Sequence, residues 1–220
     1  MGKKRIRDFG IVPGRVKTGE RNAITDVPGV RVGHCTVKTE ENHTGVTVIV
    51  PGPDNAFAKH YTAAAYIHNG FGKSAGVVQV EELGTLETPI ALTNTLNVGK
   101  VLDVMVDVVI EQSRKDGIEP QSINPVVGEC NDCRINHIQK RAIGEKEVRE
   151  AFAAASEEFE EGDVGAGAGT TCYGMKGGIG SASRVITIGE KEYTIGVLVQ
   201  SNFGATKDFV LNGEAVGPKI

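Results

Sequence analysis

Hydrophobic and polar positions follow two different periods along this chain. Residues Val30–Val37 and Thr44–Val50 are β-branched and partly alternating, broken by glycine and polar residues, which predicts a pair of strands. Gly76–Leu83 and Pro89–Thr95 read as a second pair, joined by Gly84-Thr85-Leu86-Glu87. The period changes between Asn97 and Arg114, where Val101, Val104, Met105, Val108 and Val109 recur at three and four with Asp103, Asp107 and Glu111 between them. That spacing predicts an amphipathic helix ended by Gly117. A second helix is predicted from about Glu145 to Glu160, with Val148, Phe152, Ala155 and Phe159 on one face and Gly162 as its stop. After a glycine-rich run from Gly162 to Gly180, Arg184–Ile188 and Tyr193–Gln200 form a hairpin by pattern, joined by Gly189-Glu190-Lys191-Glu192. Strand pairs interleaved with two helices predict an α+β layered sandwich, not a regular βαβ repeat.

The chain has 220 residues, which suits a single domain over residues 1–220 with a sizeable core. Hydrophobic residues at 40% and charged residues at 24% are ordinary for a globular chain, but 29 glycines are well above average. They fall in patterned segments, so they predict tight turns and close backbone approaches and not disorder. A net charge of −4, with Lys3-Lys4-Arg5 and Arg7 as the one basic cluster, gives no footprint for nucleic acid. Aromatic residues at 5% and the lack of Trp argue against a base-stacking surface. No apolar stretch is long enough to span a membrane. The basic start, Met1-Gly2-Lys3-Lys4-Arg5-Ile6, has no apolar segment behind it and does not read as a signal peptide. The cytoplasm is the expected compartment, and four cysteines do not suggest a disulfide scaffold.

Three short motifs invite chemistry and are weaker than they look. Gly72-Lys73-Ser74-Ala75-Gly76 satisfies G-x-S-x-G, but a nucleophile elbow needs a strand before the serine and a helix after it. Val77-Val78-Gln79-Val80 reads as a strand, so an ordinary turn is expected. The run Val164-Gly165-Ala166-Gly167-Ala168-Gly169-Thr170-Thr171 has the wrong spacing for a dinucleotide or phosphate loop. Its backbone must pass close to something, either beside an active site or in plain packing. Cys130-Asn131-Asp132-Cys133 with His137 falls short of four zinc ligands, since His34, Cys35 and Cys172 show no paired spacing. Free thiols with no metal are expected there, and none of the five histidines sits in a catalytic pattern.

Longer strings are far more specific. They are Asn22-Ala23-Ile24-Thr25-Asp26-Val27-Pro28-Gly29-Val30-Arg31-Val32-Gly33-His34; Glu82-Leu83-Gly84-Thr85-Leu86-Glu87 with Thr93-Asn94-Thr95; Lys176-Gly177-Gly178-Ile179-Gly180 with Ser183-Arg184; and Gly196-Val197-Leu198-Val199-Gln200-Ser201-Asn202-Phe203-Gly204. In this order, and over essentially the whole chain, they resemble the L-aminopeptidase/D-Ala-esterase-amidase family, which includes β-peptidyl aminopeptidases.

The resemblance implies an α/β/β/α sandwich of two sheets flanked by helices, similar to N-terminal-nucleophile hydrolases but with different topology. It implies a precursor that cuts itself into an α chain, this one, and a β chain beginning with a nucleophilic Ser, or Thr in the sibling ornithine acetyltransferases. A terminal nucleophile can use its own α-amine as base, which accounts for the lack of a Ser-His-Asp set. The nucleophile is then expected beyond Ile220, on a β chain that partners this one in a homo-oligomer of αβ units. Small peptides, amides or esters with a free amino terminus are the implied substrates, with no cofactor. Two alternatives stay open: acyl transfer to an amine such as ornithine, and a non-catalytic scaffold.

Three site residues follow from the same resemblance. Asn202 matches the family asparagine whose amide faces the developing oxyanion. Glu129 matches the glutamate that receives the substrate's free ammonium group. Asn131 stands where relatives such as the D-Ala esterase carry a Tyr that helps the oxyanion, so it is the candidate for a second, shorter donor.

Overall fold

The computed structural model describes residues 4–220; the first three residues of the basic terminus lie outside them. The two β-branched stretches form strands β1 (Arg31–Lys38) and β2 (His43–Val50), paired antiparallel from Arg31↔Val50 to Lys38↔His43. Helix α1 (Val77–Leu83) precedes β3 (Ile90–Asn94), and α2 (Val98–Lys115) leads to β4 (Val126–Cys130). Helix α3 (Glu145–Ala153) is followed by the long hairpin β5 (Gly178–Ile188) and β6 (Lys191–Ser201). Strands β1 to β4 make one sheet in the order β1-β2-β3-β4, in which β3 and β4 run parallel and the other pairs antiparallel.

The period-two alternation of this sheet sorts its side chains into two cores. Val46 and Val48 of β2, Ala91 of β3 and Val127 of β4 face α2 and α3, meeting Val101, Val104, Met105, Val108, Val148 and Ala151. On the opposite face Val32, Ile49, Ile90 and Leu92 meet Ile24, Val27, Phe159 and Leu198, the last from β6. The layers are therefore helices, four-stranded sheet and hairpin, a mixed α+β arrangement in the expected stacking order. Alternate residues of β6 point the other way: Tyr193, Ile195, Val197 and Val199 are 44–49% exposed, on a face that no α-helix of the described residues covers.

Close approach explains two glycines of this packing. A Cβ on Gly33 would lie 2.0 Å from the Ala151 carbonyl oxygen, so a larger residue in β1 would push α3 off the sheet. One on Gly169 would lie 2.2 Å from the His43 carbonyl oxygen and 2.6 Å from Asp132 Cβ. The glycine-rich run is thus a backbone pressed against β2 and the segment after β4.

Three expectations need correction. Gly76–Leu83 is not a strand but contains α1, bracketed by Gly76 at φ 80° and Gly84 at φ 67°, with the Gly84 N–H donating to the Val80 carbonyl oxygen at 3.0 Å. Its valines suggested a strand, yet only Val80 is buried, so burial on one side and two left-handed caps decide the helix over β-propensity. β3 accordingly pairs with β2 and β4. Helix α3 ends at Ala153 instead of running to Glu160, because Ser156 exchanges both backbone bonds with Val32 at 2.9 and 3.0 Å. Phe159 therefore joins the second core from a loop, and Gly162 pairs with Ile179 instead of stopping a helix. The final hairpin is longer than its pattern and turns on Gly189-Glu190 alone. No helix among the described residues is long and apolar enough to cross a membrane.

Candidate active site

The carboxyl end of β4, the end of β6 and the segment before α1 meet at one place. Glu129 is the fourth residue of β4 and is half-buried. Its Oε1 accepts the backbone N–H of Lys73 at 3.0 Å, and its Oε2 accepts the Thr95 hydroxyl. Both oxygens are oriented while the carboxylate still reaches solvent, so a cationic group arriving from outside finds a fixed acceptor.

Asn131 lies two residues on, exposed, with its Oδ1 accepting the Cys133 N–H at 3.0 Å. That bond uses the carbonyl half of the amide and not its NH2 donor. Asn202 follows directly after β6, and its amide is held at both ends. Its Nδ2 donates to the Asn131 carbonyl oxygen at 3.0 Å, and its Oδ1 accepts the Thr171 N–H at 3.1 Å. The two bonds settle which end of the amide is nitrogen, and they use only one of its two N–H hydrogens. The end of β6 is tied to the sheet by Gln200, whose Nε2 donates to the carbonyl oxygens of Ala166 at 2.8 Å and Thr93 at 3.3 Å. Glu129 and Asn131, two residues apart, thus share one corner of the fold with Asn202, which is 71 residues beyond Asn131.

Behind them lies a buried polar network. Asp132 is 1% exposed and accepts the Thr44 hydroxyl at 2.6 Å and the Asn136 Nδ2 at 2.8 Å. Asn94 donates to Thr44 Oγ1 at 2.8 Å, and Asn42 donates to Asn136 Oδ1 at 2.9 Å. Burial pushes the Asp132 carboxyl above its ordinary range, against the lowering effect of these hydrogen bonds.

The weaker motifs find places too. The G-x-S-x-G string is followed by a helix after all, but the segment before Ser74 is irregular, so the elbow fails on its strand half. Its contribution is the Lys73 N–H, beside Gly72, where a Cβ would already stand 3.4 Å from Glu129 Oε1. Thr95, Lys73, Thr171 and Asp132 were not singled out from the sequence. Two of them act through backbone groups that every residue carries, and although each lies inside a quoted string, none of those strings pointed to its part in the site.

No disulfide joins the four cysteines, and among the described residues no three His, Cys, Asp or Glu side chains gather as a metal site. Burial, with the neighbouring Glu129 and Asp132 carboxylates, pushes the Cys130 thiol up to about 12, whereas Cys133 is exposed. Iodoacetamide at pH 8 is expected to label Cys133 and spare Cys130, because the thiolate is the nucleophile. Peptide mass mapping checks this, and elemental analysis of the same protein should find no zinc. Stoichiometric zinc that leaves together with activity on chelation would reverse the assignment.

Known proteins resemble this chain along nearly its whole length. Residues 22–220 match peptidase family S58. The β-peptidyl aminopeptidases BapA of Sphingosinicella xenopeptidilytica and Sphingosinicella microcystinivorans are 38% and 37% identical over 226 aligned positions, covering 98% of this chain and 56% of each relative. Among solved structures, the PH0078 protein of Pyrococcus horikoshii OT3 superposes with a TM-score of 0.94 at 43% identity, covering 98% of this chain and 64% of that one. The β-aminopeptidase of a Burkholderia species gives 0.91 at 40%, covering 99% and 62%. The L-aminopeptidase D-Ala-esterase/amidase of Ochrobactrum anthropi, described as a prototype for the serine aminopeptidases and a new variant among the Ntn hydrolase fold, gives 0.90 at 33%, covering 99% and 63%. The chain spans little more than half the length of the sequence relatives, yet nearly all of it aligns with both them and the solved folds. It belongs to peptidase family S58.

Proposed function

We propose that this chain supplies the amino-terminus pocket and an oxyanion donor to a self-cleaving serine aminopeptidase whose nucleophile begins a second polypeptide from the same precursor. The observation that carries the reading is the doubly held Asn202 amide beside the oriented Glu129 carboxylate. Glu129 receives the substrate's ammonium group. The second N–H of Asn202 donates to the oxygen that gains charge as the nucleophile attacks the carbonyl carbon. A donor fixed in advance needs no reorganisation when that charge appears. In this reading Asn131 Nδ2 assists as a second, shorter donor. Its reach differs from that of a phenol, which bears on substrate preference.

The second polypeptide has two supports. Relatives are longer, this chain covering 56% of the β-peptidyl aminopeptidases. The apolar row on β6 also offers a sheet face for it to cover. Small peptides, amides or esters with a free amino terminus are the substrates of this reading, cleaved in the cytoplasm by an oligomer of such two-chain units. Material purified from the full gene should give two polypeptides by intact mass, and N-terminal sequencing should find Ser or Thr opening the shorter one. A lone 220-residue species with full peptidase activity would sink the idea.

A further inference from the structure

We propose that Asp132 is a positioning residue for the oxyanion donor, holding from behind both of the groups that clamp Asn202. The inference rests on the oxyanion role just given to Asn202.

Asn202 has two anchors, the Asn131 carbonyl oxygen and the Thr171 N–H. The first belongs to the peptide unit that joins Asn131 to Asp132, so its direction follows the Asp132 backbone. That backbone is fixed by its side chain, which receives the Thr44 hydroxyl from β2 and the Asn136 amide from the following turn. The Asp132 carbonyl oxygen closes the same turn, accepting the N–H groups of Ile135 at 3.2 Å and Asn136 at 3.1 Å. The second anchor lies two residues beyond Gly169, whose Cα is pressed so closely on Asp132 that a Cβ would sit 2.6 Å from Asp132 Cβ and 2.9 Å from Oδ2. Asp132 thus touches the segment carrying one anchor and is bonded to the residue carrying the other.

The arrangement costs something, which argues that it is not filler. A carboxylate 1% exposed, with no cation among its hydrogen-bond partners in the described residues, is an expensive way to fasten a turn. Its value lies in accepting on both oxygens. Thr44 Oγ1 already accepts from Asn94, so its hydroxyl hydrogen is committed to Asp132. Asn136 Oδ1 accepts from Asn42, which turns its NH2 toward Asp132. Both neighbours present donors, and only a group with two acceptors satisfies them. Asparagine in its place would set an NH2 against one donor and tilt the 131–132 peptide by relieving that contact.

The test uses the processed full-length enzyme and a four-way comparison of wild type, Asp132→Asn, Asn202→Ala and the double variant. Asp132→Asn should lower kcat on the order of tenfold with KM within about twofold. The double variant should be no slower than Asn202→Ala alone, since a support is worthless once the group it supports is gone. Where Asn202→Ala stalls processing, the self-cleavage rates of the four precursors give the same comparison. Thr44→Val, which removes one donor and leaves Asp132 in place, should reproduce the loss on a smaller scale and covers the case in which Asp132→Asn fails to fold. Losses that add in the double variant overturn the proposal, as does a fall in Tm with kcat unchanged. If Asn202→Ala itself leaves kcat intact, the oxyanion reading fails and this one with it. A slow Asn202→Ala uncoupled from Asp132 overturns the positioning role alone.

Discussion

Asn202→Ala should lower kcat about a hundred- to a thousand-fold while KM moves little, the loss typical of removing one preorganised oxyanion donor. The reason is geometric. Both ends of the amide are engaged by backbone groups of the protein, so its remaining N–H points in one direction before substrate arrives. Ground-state substrate carries only a polarised carbonyl oxygen; the tetrahedral intermediate carries a full negative charge. The bond therefore strengthens as the barrier is climbed, and its loss belongs in kcat. Asn202 is only half-buried at the end of a strand, so truncation should leave the fold standing. The proposed self-cleavage would pass through a similar oxyanion, so steady-state measurements must be made on material shown to be processed. A loss confined to KM would mean that Asn202 binds ground-state substrate instead.

Capping the substrate's amino group should cost the native enzyme on the order of ten- to a hundred-fold in kcat/KM, and Glu129→Gln should erase most of that preference. A hydrogen bond to a charged group is worth about 1.5–3 kcal/mol, with tenfold for every 1.4 kcal/mol. Acetylation removes the charge and most of the donors from the ligand. It also leaves a half-desolvated carboxylate facing an amide, which adds to the penalty. Glutamine keeps the shape of Glu129 and can still accept the Lys73 N–H or the Thr95 hydroxyl, but it has no charge to offer an ammonium group. Free and capped versions of one substrate, assayed on both enzymes, give the ratio directly. The competing idea is a structural pairing of Glu129 with a cation such as Arg134. It predicts an unchanged ratio in a folded, processed Glu129→Gln protein, and that result would remove Glu129 from the pocket.

How far the sequence could be read depended on what each segment buries. β1, β2 and α2 bury one face each, so their period shows in the residue order, and they were legible to within a residue or two. α1 was not, because seven residues with three valines look like a strand until the caps on both sides are seen. β4 left no alternation at all: Val-Val-Gly-Glu-Cys is short, and its parallel partner lies 36 residues earlier in register, Ile90 against Val126. The excess of α3 beyond Ala153 was lost to a bridge with β1 that no local pattern announces. Glu129, Asn131 and Asn202 came from family resemblance and not from spacing. The structure adds what holds them, namely backbone N–H groups of Lys73 and Thr171 that carry no sequence signature.

Tyr193, Ile195, Val197 and Val199 stand in a row on a strand whose only ladder partner among the described residues is β5. An open apolar edge of this kind is a template on which other chains can add as further strands. Under the proposed self-cleavage, this would set the timing of maturation. Scission before folding would release the sticky face into dilute solution, where aggregation competes with finding the other piece. Scission after folding lets the covalent link hold both pieces together at an effective concentration in the millimolar range until the face is covered. In the proposed reading, the folded geometry that would orient the scissile carbonyl is absent from an unfolded chain, so the cut would wait for the assembly it could otherwise endanger.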